Sequence, residues 1–235
     1  MAGASTPGFS VGAVVVAAGK SARMAGVDKI FAPVLGRPLL SFALDQLEAF
    51  PLVTEIVLVI DSGSLRQGRV LIDAAGYRKV THVCPGGERR QDSVRSGLDS
   101  LKPCDWVIVH DGARPCLDVP MLERGLAAAQ EAGAAVAGVP VTDTIKVVSS
   151  QGIVLDTPDR RSIWAAQTPQ IFRYDLLRGA HDQCAQDVTD DAMMVESLGH
   201  PVKMFLGSYD NLKVTTPEDL ILAESFLKSR VSEGR

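Results

Sequence analysis

The chain has 235 residues, 46% of them apolar and 22% charged, which is ordinary for a globular protein able to bury a full core as one large domain or two small ones. A formal net charge of −4 gives no overall attraction to nucleic acid or to an anionic membrane, and an aromatic share of 5% argues against a base-stacking surface. Any anion-binding function must therefore gather its positive charge locally.

The first ten residues, MAGASTPGFS, carry no side-chain positive charge and read as a flexible tail over residues 1–10. The apolar run at 11–18 is too short to cross a bilayer. Cys84, Cys104, Cys116 and Cys184 form no CxxC pair and have no zinc-type spacing. They read as reduced thiols of a cytoplasmic protein without a structural metal.

From there strand-like and helix-like segments alternate, the pattern of a parallel sheet wrapped by helices. The expected strands are VGAVVVAA (11–18), EIVLVI (55–60), KVTHVC (79–84), DWVIVH (105–110) and AAVAGVPV (134–141). They are short, Val-rich and nearly continuous in apolarity, as buried parallel strands should be. Helices are expected around 38–49, 64–75, 90–101 and 118–132. A last helix begins at Thr216-Pro217, with Asp219 in the reciprocal capping position and LILAESFL as its apolar face. Residues 144–155, TIKVVSSQGIVL, break the alternation and read as a hairpin around a Ser-Ser-Gln-Gly turn. No linker or repeat is visible. The expectation is one α/β domain over 11–230 with a β-arm inserted at about 142–162.

The first strand runs into AAGKSARM (17–24) and then Asp28-Lys29. Ala17, Ala18 and Gly19 let the backbone approach a phosphate, and Lys20, Arg23 and Lys29 supply three cations in an otherwise acidic chain. A solvated basic turn explains a single lysine better than it explains all three behind a buried strand. Gly19-Lys20-Ser21 mimics the end of an ATPase phosphate loop, but the glycine needed five residues earlier is Val14, and no G-x-G-x-x-G follows the strand. A second glycine loop, Pro85-Gly86-Gly87-Glu88, opens the 90–101 helix, where Glu88 and Ser93 are placed to read a base or ribose; a plain turn with a helix cap accounts for it equally. The fourth strand ends HDGARP (110–115), where Asp111 is a candidate ligand for a divalent ion and Arg114 for a phosphate. A structural Asp–Arg pair is the competing reading. Asp210-Asn211-Leu212-Lys213 adds a carboxylate and a cation before the last helix.

Taken in order, AAG-x-x-x-RM…K, GG-x-x-R-x-x-SV, HD-x-ARP, the DT-x-K…DR arm, W-x(2)-QTPQ-x-F, TDD and DNLKVT-x-PEDL resemble the 2-C-methyl-D-erythritol 4-phosphate cytidylyltransferases of the non-mevalonate isoprenoid pathway. The resemblance spans about Val11 to Leu227. It implies a Rossmann-like nucleotidyltransferase sheet, a β-arm used for dimerisation, Mg²⁺ as divalent cation, and CTP with a polyol phosphate as substrates. It places Arg23 and Lys29 as the basic pair at the transition state, and Ala17, Ala18 and Gly19 against CTP. Gly87, Glu88 and Ser93 fall at cytosine and ribose, and Asp111 and Arg114 near the triphosphate, Mg²⁺ and the second substrate. Thr144 and Arg160 would reach the polyol phosphate of the neighbouring subunit, where Arg160 acts with Lys213. Asp210, Thr168 and Thr189 match further substrate-side positions. Two positions depart from the family pattern: Ser21 stands where a second glycine is usual, and Asp28 where proline often precedes the lysine. A cytidylyltransferase for another polyol phosphate, such as ribitol 5-phosphate, shares the nucleotide half. A non-catalytic nucleotide-binding module on the same fold is the alternative from another class. The four histidines (82, 110, 181, 200) read as structural.

Overall fold

A computed structural model describes residues 8–19, 29–184 and 186–232. In chain order the strands are β1 (Val11–Ala17), β2 (Pro33–Val34), β3 (Arg37–Pro38), β4 (Val53–Ile60), β5 (Val80–Pro85), β6 (Trp106–Asp111), β7 (Ala134–Pro140), β8 (Val147–Val148), β9 (Val154–Asp156), β10 (Trp164–Arg173) and β11 (Lys203–Leu206). The α-helices are α1 (Leu39–Ala49), α2 (Leu65–Ala75), α3 (Arg90–Ser100), α4 (Val119–Ala132), α5 (Tyr174–Gln183), α6 (Asp191–Ser197) and α7 (Pro217–Ser232). None of the described helices is long and apolar enough to cross a membrane.

Seven strands form one sheet in the order β11-β7-β10-β6-β1-β4-β5, with β10 alone antiparallel to its neighbours. This is the mostly parallel α/β sheet expected for a nucleotidyltransferase. Every residue of β1 is buried, because the strand is covered on both faces. Val11, Ala13 and Val15 face a cluster containing Leu40, Leu44 and Leu47 of α1 and Met121 and Leu122 of α4. Val14 and Val16 face Val94 and Leu98 of α3, Leu177 of α5 and Val195 of α6. Each valine, leucine or methionine among them contributes about 1.5–3 kcal/mol when fully buried.

The chain lays β4 and β5 on one side of β1 and then returns to place β6 on the other. The carboxyl ends of β1 and β6 therefore diverge into a crevice, where open α/β sheets bind ligands. Past it, α7 docks through Ala223 and Leu227 on Leu39, Cys116 and Val214. Its N-terminus is capped reciprocally as expected: Asp219 Oδ2 accepts from the Thr216 amide at 2.9 Å, and Thr216 Oγ1 accepts from the Asp219 amide at 3.3 Å. LILAESFL is buried less than its composition suggests, since Ile221 and Leu222 are exposed.

Two strands of the seven-stranded sheet escaped the sequence reading, as did the short β2–β3 pair. β10 contains Pro169, which cannot donate to a ladder, and the β10–β7 register shifts between Ala166 and Gln170 to accommodate it. β11 has only four residues, three of them exposed. The hairpin at 144–155 forms as β8 paired with β9, and Val147, Val148, Ile153, Val154 and Leu155 are all exposed on it.

Gly97 marks how tightly α3 sits on the sheet, for a Cβ there would lie 2.3 Å from Val14 Cγ1 and 3.0 Å from Val59 Cγ2. Gly97→Ala should therefore destabilise the fold by about 1–3 kcal/mol, although alanine is the better helix former. Urea unfolding measures it; a stabilised variant would show that α3 can move off the sheet without penalty.

Candidate active site

A cavity of about 760 Å³ opens at the β1/β6 crevice. One wall is Ala17, Ala18 and Gly19 leaving β1, with Lys29 opposite at the start of a short 3-10 turn. A second is the Gly86–Arg90 loop, which enters α3. The two loops touch: a Cβ on Gly86 would lie 2.3 Å from the Ala18 Cβ and 2.6 Å from Ser93 Oγ, so no side chain fits there. Ser93 is buried, and its hydroxyl accepts from the Gly87 amide at 3.2 Å and donates to the Arg89 carbonyl at 3.2 Å. It thereby braces the loop from inside, while Glu88 stands exposed at the rim.

The floor is a buried charge cluster around Asp111, the last residue of β6. Its Oδ1 lies 3.1 Å from Arg90 Nε, and its Oδ2 lies 2.7 Å from Lys213 Nζ and 3.8 Å from Arg114 Nε. Burial alone would raise the Asp111 carboxyl, but Arg90, Lys213 and Arg114 outweigh it and hold it well below the usual carboxylate range. Arg90 also reaches Asp191, at 2.6 Å, and burial is outweighed there too, so its guanidinium is raised. Arg114 donates to the Asn211 carbonyl at 2.6 Å, and burial lowers it.

Behind Asp111, His110 is fully buried and forms a lock. Its Nε2 lies 3.1 Å from the Arg114 carbonyl, which can only accept, so Nε2 carries the proton. Nδ1 then accepts from the Thr168 hydroxyl at 3.1 Å, and Thr168 Oγ1 accepts from the Asp111 amide at 3.0 Å. Burial pushes the His110 pKa down to about 4. Asn211, also buried, donates to the Thr168 carbonyl at 2.8 Å and to Gln167 Oε1 at 3.1 Å, tying the loop before α7 to β10.

The family model for 2-C-methyl-D-erythritol 4-phosphate cytidylyltransferase matches residues 11–229. The chain belongs to this family. Curated relatives of the same description include one from Dehalococcoides mccartyi, 48% identical over 218 residues that cover 93% of this chain and 96% of the relative. Another, from Desulforamulus reducens, is 43% identical over 224 residues, covering 93% and 96%. Among solved structures, the 4-diphosphocytidyl-2C-methyl-D-erythritol synthase of Anaerococcus prevotii superposes with a TM-score of 0.83 at 28% identity, covering 93% of this chain and 98% of that one. The 2-C-methyl-D-erythritol 4-phosphate cytidylyltransferase of Thermus thermophilus gives 0.75 at 32% identity, covering 92% and 98%.

Of the residues that the cytidylyltransferase resemblance singled out, the cavity gathers Ala17, Ala18, Gly19, Lys29, Gly87, Glu88, Ser93, Asp111 and Lys213. Arg23 lies outside the described residues, as do Lys20, Ser21 and Asp28. Arg114 and Thr168 are adjacent but turned into the cluster and the His110 lock. Asp210 and Thr189 do not line the cavity; the Asp210 amide donates to Ser208 Oγ, and Thr189 is exposed. Thr144 and Arg160 are on the arm, away from this chain's cavity, where Arg160 donates to the Thr142 carbonyl at 2.7 Å. Sequence reasoning missed Asp61, Ser62 and Thr215 in the lining and gave Arg90 no role. Arg90 stood in a recognised motif, so its position was available; its partner Asp191, 101 residues away, was not.

The His110 lock has a pH signature. The unfolded chain binds a proton near the ordinary histidine value of 6.5, whereas the folded imidazole resists it until about 4. Stability should thus fall as pH drops from about 6.5 towards 4, by on the order of 3 kcal/mol from this group. Urea unfolding across that window should give a shallower acid loss for His110→Gln than for the wild type. Equal slopes would mean that His110 is not held neutral.

Proposed function

We infer that this chain transfers the cytidylyl group of CTP to 2-C-methyl-D-erythritol 4-phosphate, giving 4-diphosphocytidyl-2-C-methyl-D-erythritol and pyrophosphate on the way to isoprenoid precursors. The observation that carries the reading is the family match over residues 11–229, joined to a cavity whose small-residue loops face Lys29 and Lys213.

An oxygen of the polyol phosphate attacks the α-phosphorus of CTP in line; the new O–P bond forms as the bond to the β-phosphate oxygen breaks, and pyrophosphate leaves with the electron pair. The attacking phosphate is already anionic near neutral pH, so no side chain need act as general base. Catalysis is then positioning and charge stabilisation. Ala17, Ala18 and Gly19 offer a close backbone surface to the triphosphate, and Lys29 with Arg23 offsets the charge that builds on the transferring phosphoryl group. Gly87, Glu88 and Ser93 form the wall for cytosine and ribose. Lys213, set by Asp111, takes the polyol phosphate beside Arg114, with Thr168, Thr189 and Asp210 assigned to the same side.

Enzymes of this family use a divalent cation. Among the described residues no three His, Cys, Asp or Glu side chains group as a metal cage. The carboxylate of Asp111 is already paired with Arg90 and Lys213. This donor set does not fit a resident metal ion, so Mg²⁺ belongs with the nucleotide substrate, held by triphosphate oxygens.

The arm supports a shared site. Its exposed apolar positions cannot be buried by one hairpin, and a two-fold dimer would cover both arms at once. Clasped arms would carry Thr144 and Arg160 to the polyol phosphate of the opposite subunit, which accounts for both standing outside their own cavity.

With CTP and the methylerythritol phosphate, pyrophosphate release should be brisk; ribitol 5-phosphate or ATP should each give far less, since an ill-matched substrate leaves polar groups of the site unpaired. Comparable kcat/KM for ATP would sink the cytidylyl reading. Lys29→Ala and Arg23→Ala should each lower turnover by roughly 10²-fold or more with the fold intact. Near wild-type turnover at saturation in either variant would remove that residue from the mechanism. Mixing Lys29→Ala with Arg160→Ala under subunit exchange should restore part of the activity, because one site of each mixed dimer holds both residues. Verified exchange without recovery would assign Arg160 to its own chain.

A further inference from the structure

We propose that Arg90 is a positioning residue for the reaction: anchored on Asp191, it holds Asp111 so that the second carboxylate oxygen fixes the Lys213 ammonium at the cavity. The inference rests on the reading that Lys213 receives the polyol phosphate.

Arg90 joins two carboxylates from distant parts of the chain. Nε donates to Asp111 Oδ1 at 3.1 Å and Nη1 to Asp191 Oδ2 at 2.6 Å. Both carboxylates are nearly or wholly removed from solvent, so each needs a cation beside it. Asp191 is itself held still. It opens α6, whose N-cap Asp190 accepts from Gln170 Nε2 at 2.9 Å, while Gln170 Oε1 accepts from the Ala192 amide at 3.1 Å. On its other side Asp191 Oδ1 faces His181 Nε2 at 3.8 Å without a hydrogen bond. Arg90 is thus the cation that Asp191 is bonded to among the described residues.

The planar fork of a guanidinium spans two carboxylates in one fixed plane, which a lysine ammonium cannot do. With Oδ1 of Asp111 engaged, Oδ2 is directed to Lys213 Nζ at 2.7 Å. Lys213 is the outermost member, its side chain 39% exposed against 8% for Asp111. Among the described residues, Arg90, Arg114 and Lys213 are paired with Asp111 and Asp191, three cations to two carboxylates, which favours an anion entering the cavity. Arg90 Nη2 is buried and has no hydrogen-bond partner among the described residues.

Removing Arg90 alone would strand Asp191, so the test replaces the buried pair together as Arg90→Met/Asp191→Leu, an exchange that often leaves stability unchanged. This variant should unfold cooperatively near the wild-type temperature yet lose about 10²-fold in kcat with the polyol phosphate. Arg90→Lys, which keeps the charge without the fork and serves if the double variant is unstable, should recover part of that loss and sit about tenfold below wild type. In an Asp111→Asn background the double replacement should cost less than about threefold more, because the carboxylate it orients is already gone. Wild-type kcat in the folded double variant or in Arg90→Lys, or losses that multiply in the Asp111→Asn background, would overturn the proposal. Lys213→Met separates the two readings. If it keeps full turnover, the assignment of the phosphate to Lys213 falls and this inference with it; if it collapses while the Arg90 variants stay active, only the inference falls.

Discussion

A carboxylate can remain ionised inside a protein only if cations stand close enough to replace the water it has lost. Asp111 sets that constraint here, and three segments answer it: Arg90 from the start of α3, Arg114 from the turn after β6, and Lys213 from the loop before α7. None of the three can arrive unless β5, β6 and the C-terminal segment already hold their places around β1. The cluster is consequently a readout of correct folding as well as the floor of the cavity. Among the described residues it holds more cations than carboxylates, so a chain of net charge −4 still presents a locally cationic cavity floor.

The parallel half of the sheet was legible because buried parallel strands are continuous apolar runs; VGAVVVA and VTEIVLVI have little else to be. β10 was not. Its WAAQTPQIFR mixes polar residues and a proline into a central position, and only a register shift against β7 makes the placement possible. The cavity residues reached by sequence were those in glycine loops or beside a basic cluster, where composition itself signals an anion. Thr168 and His110 illustrate the limit: one resembled a substrate-side residue and the other a structural histidine, and only their shared hydrogen bond reveals a single device behind Asp111.

The same device assigns the cavity a division of labour. The loops after β1 and β5 are built of small residues braced by one hydroxyl, Ser93, and depend on what is absent from Gly86. The opposite side is built of long charged side chains whose positions are set by one another. Substitutions should thus be felt differently on the two sides: sterically at Gly86 or Ala18, and through charge balance at Asp111, Arg114 or Lys213.

The position of β10 has a further consequence, for the order in which the sheet can be completed. Strands β1, β4, β5 and β6 are mutual neighbours, so all the partners they need among themselves have left the ribosome once residue 111 has emerged. β7 comes next in the chain, but its neighbours are β10 and β11, which lie at 164–173 and 203–206. Until those segments are synthesised, an apolar strand of seven residues has no hydrogen-bonding partner in the sheet. The intervening arm lengthens that interval. In a growing chain, the half of the sheet beside the glycine loops can therefore close early, while the half that anchors Asn211 and completes the second side of the cavity must wait until residues 203–206 have emerged.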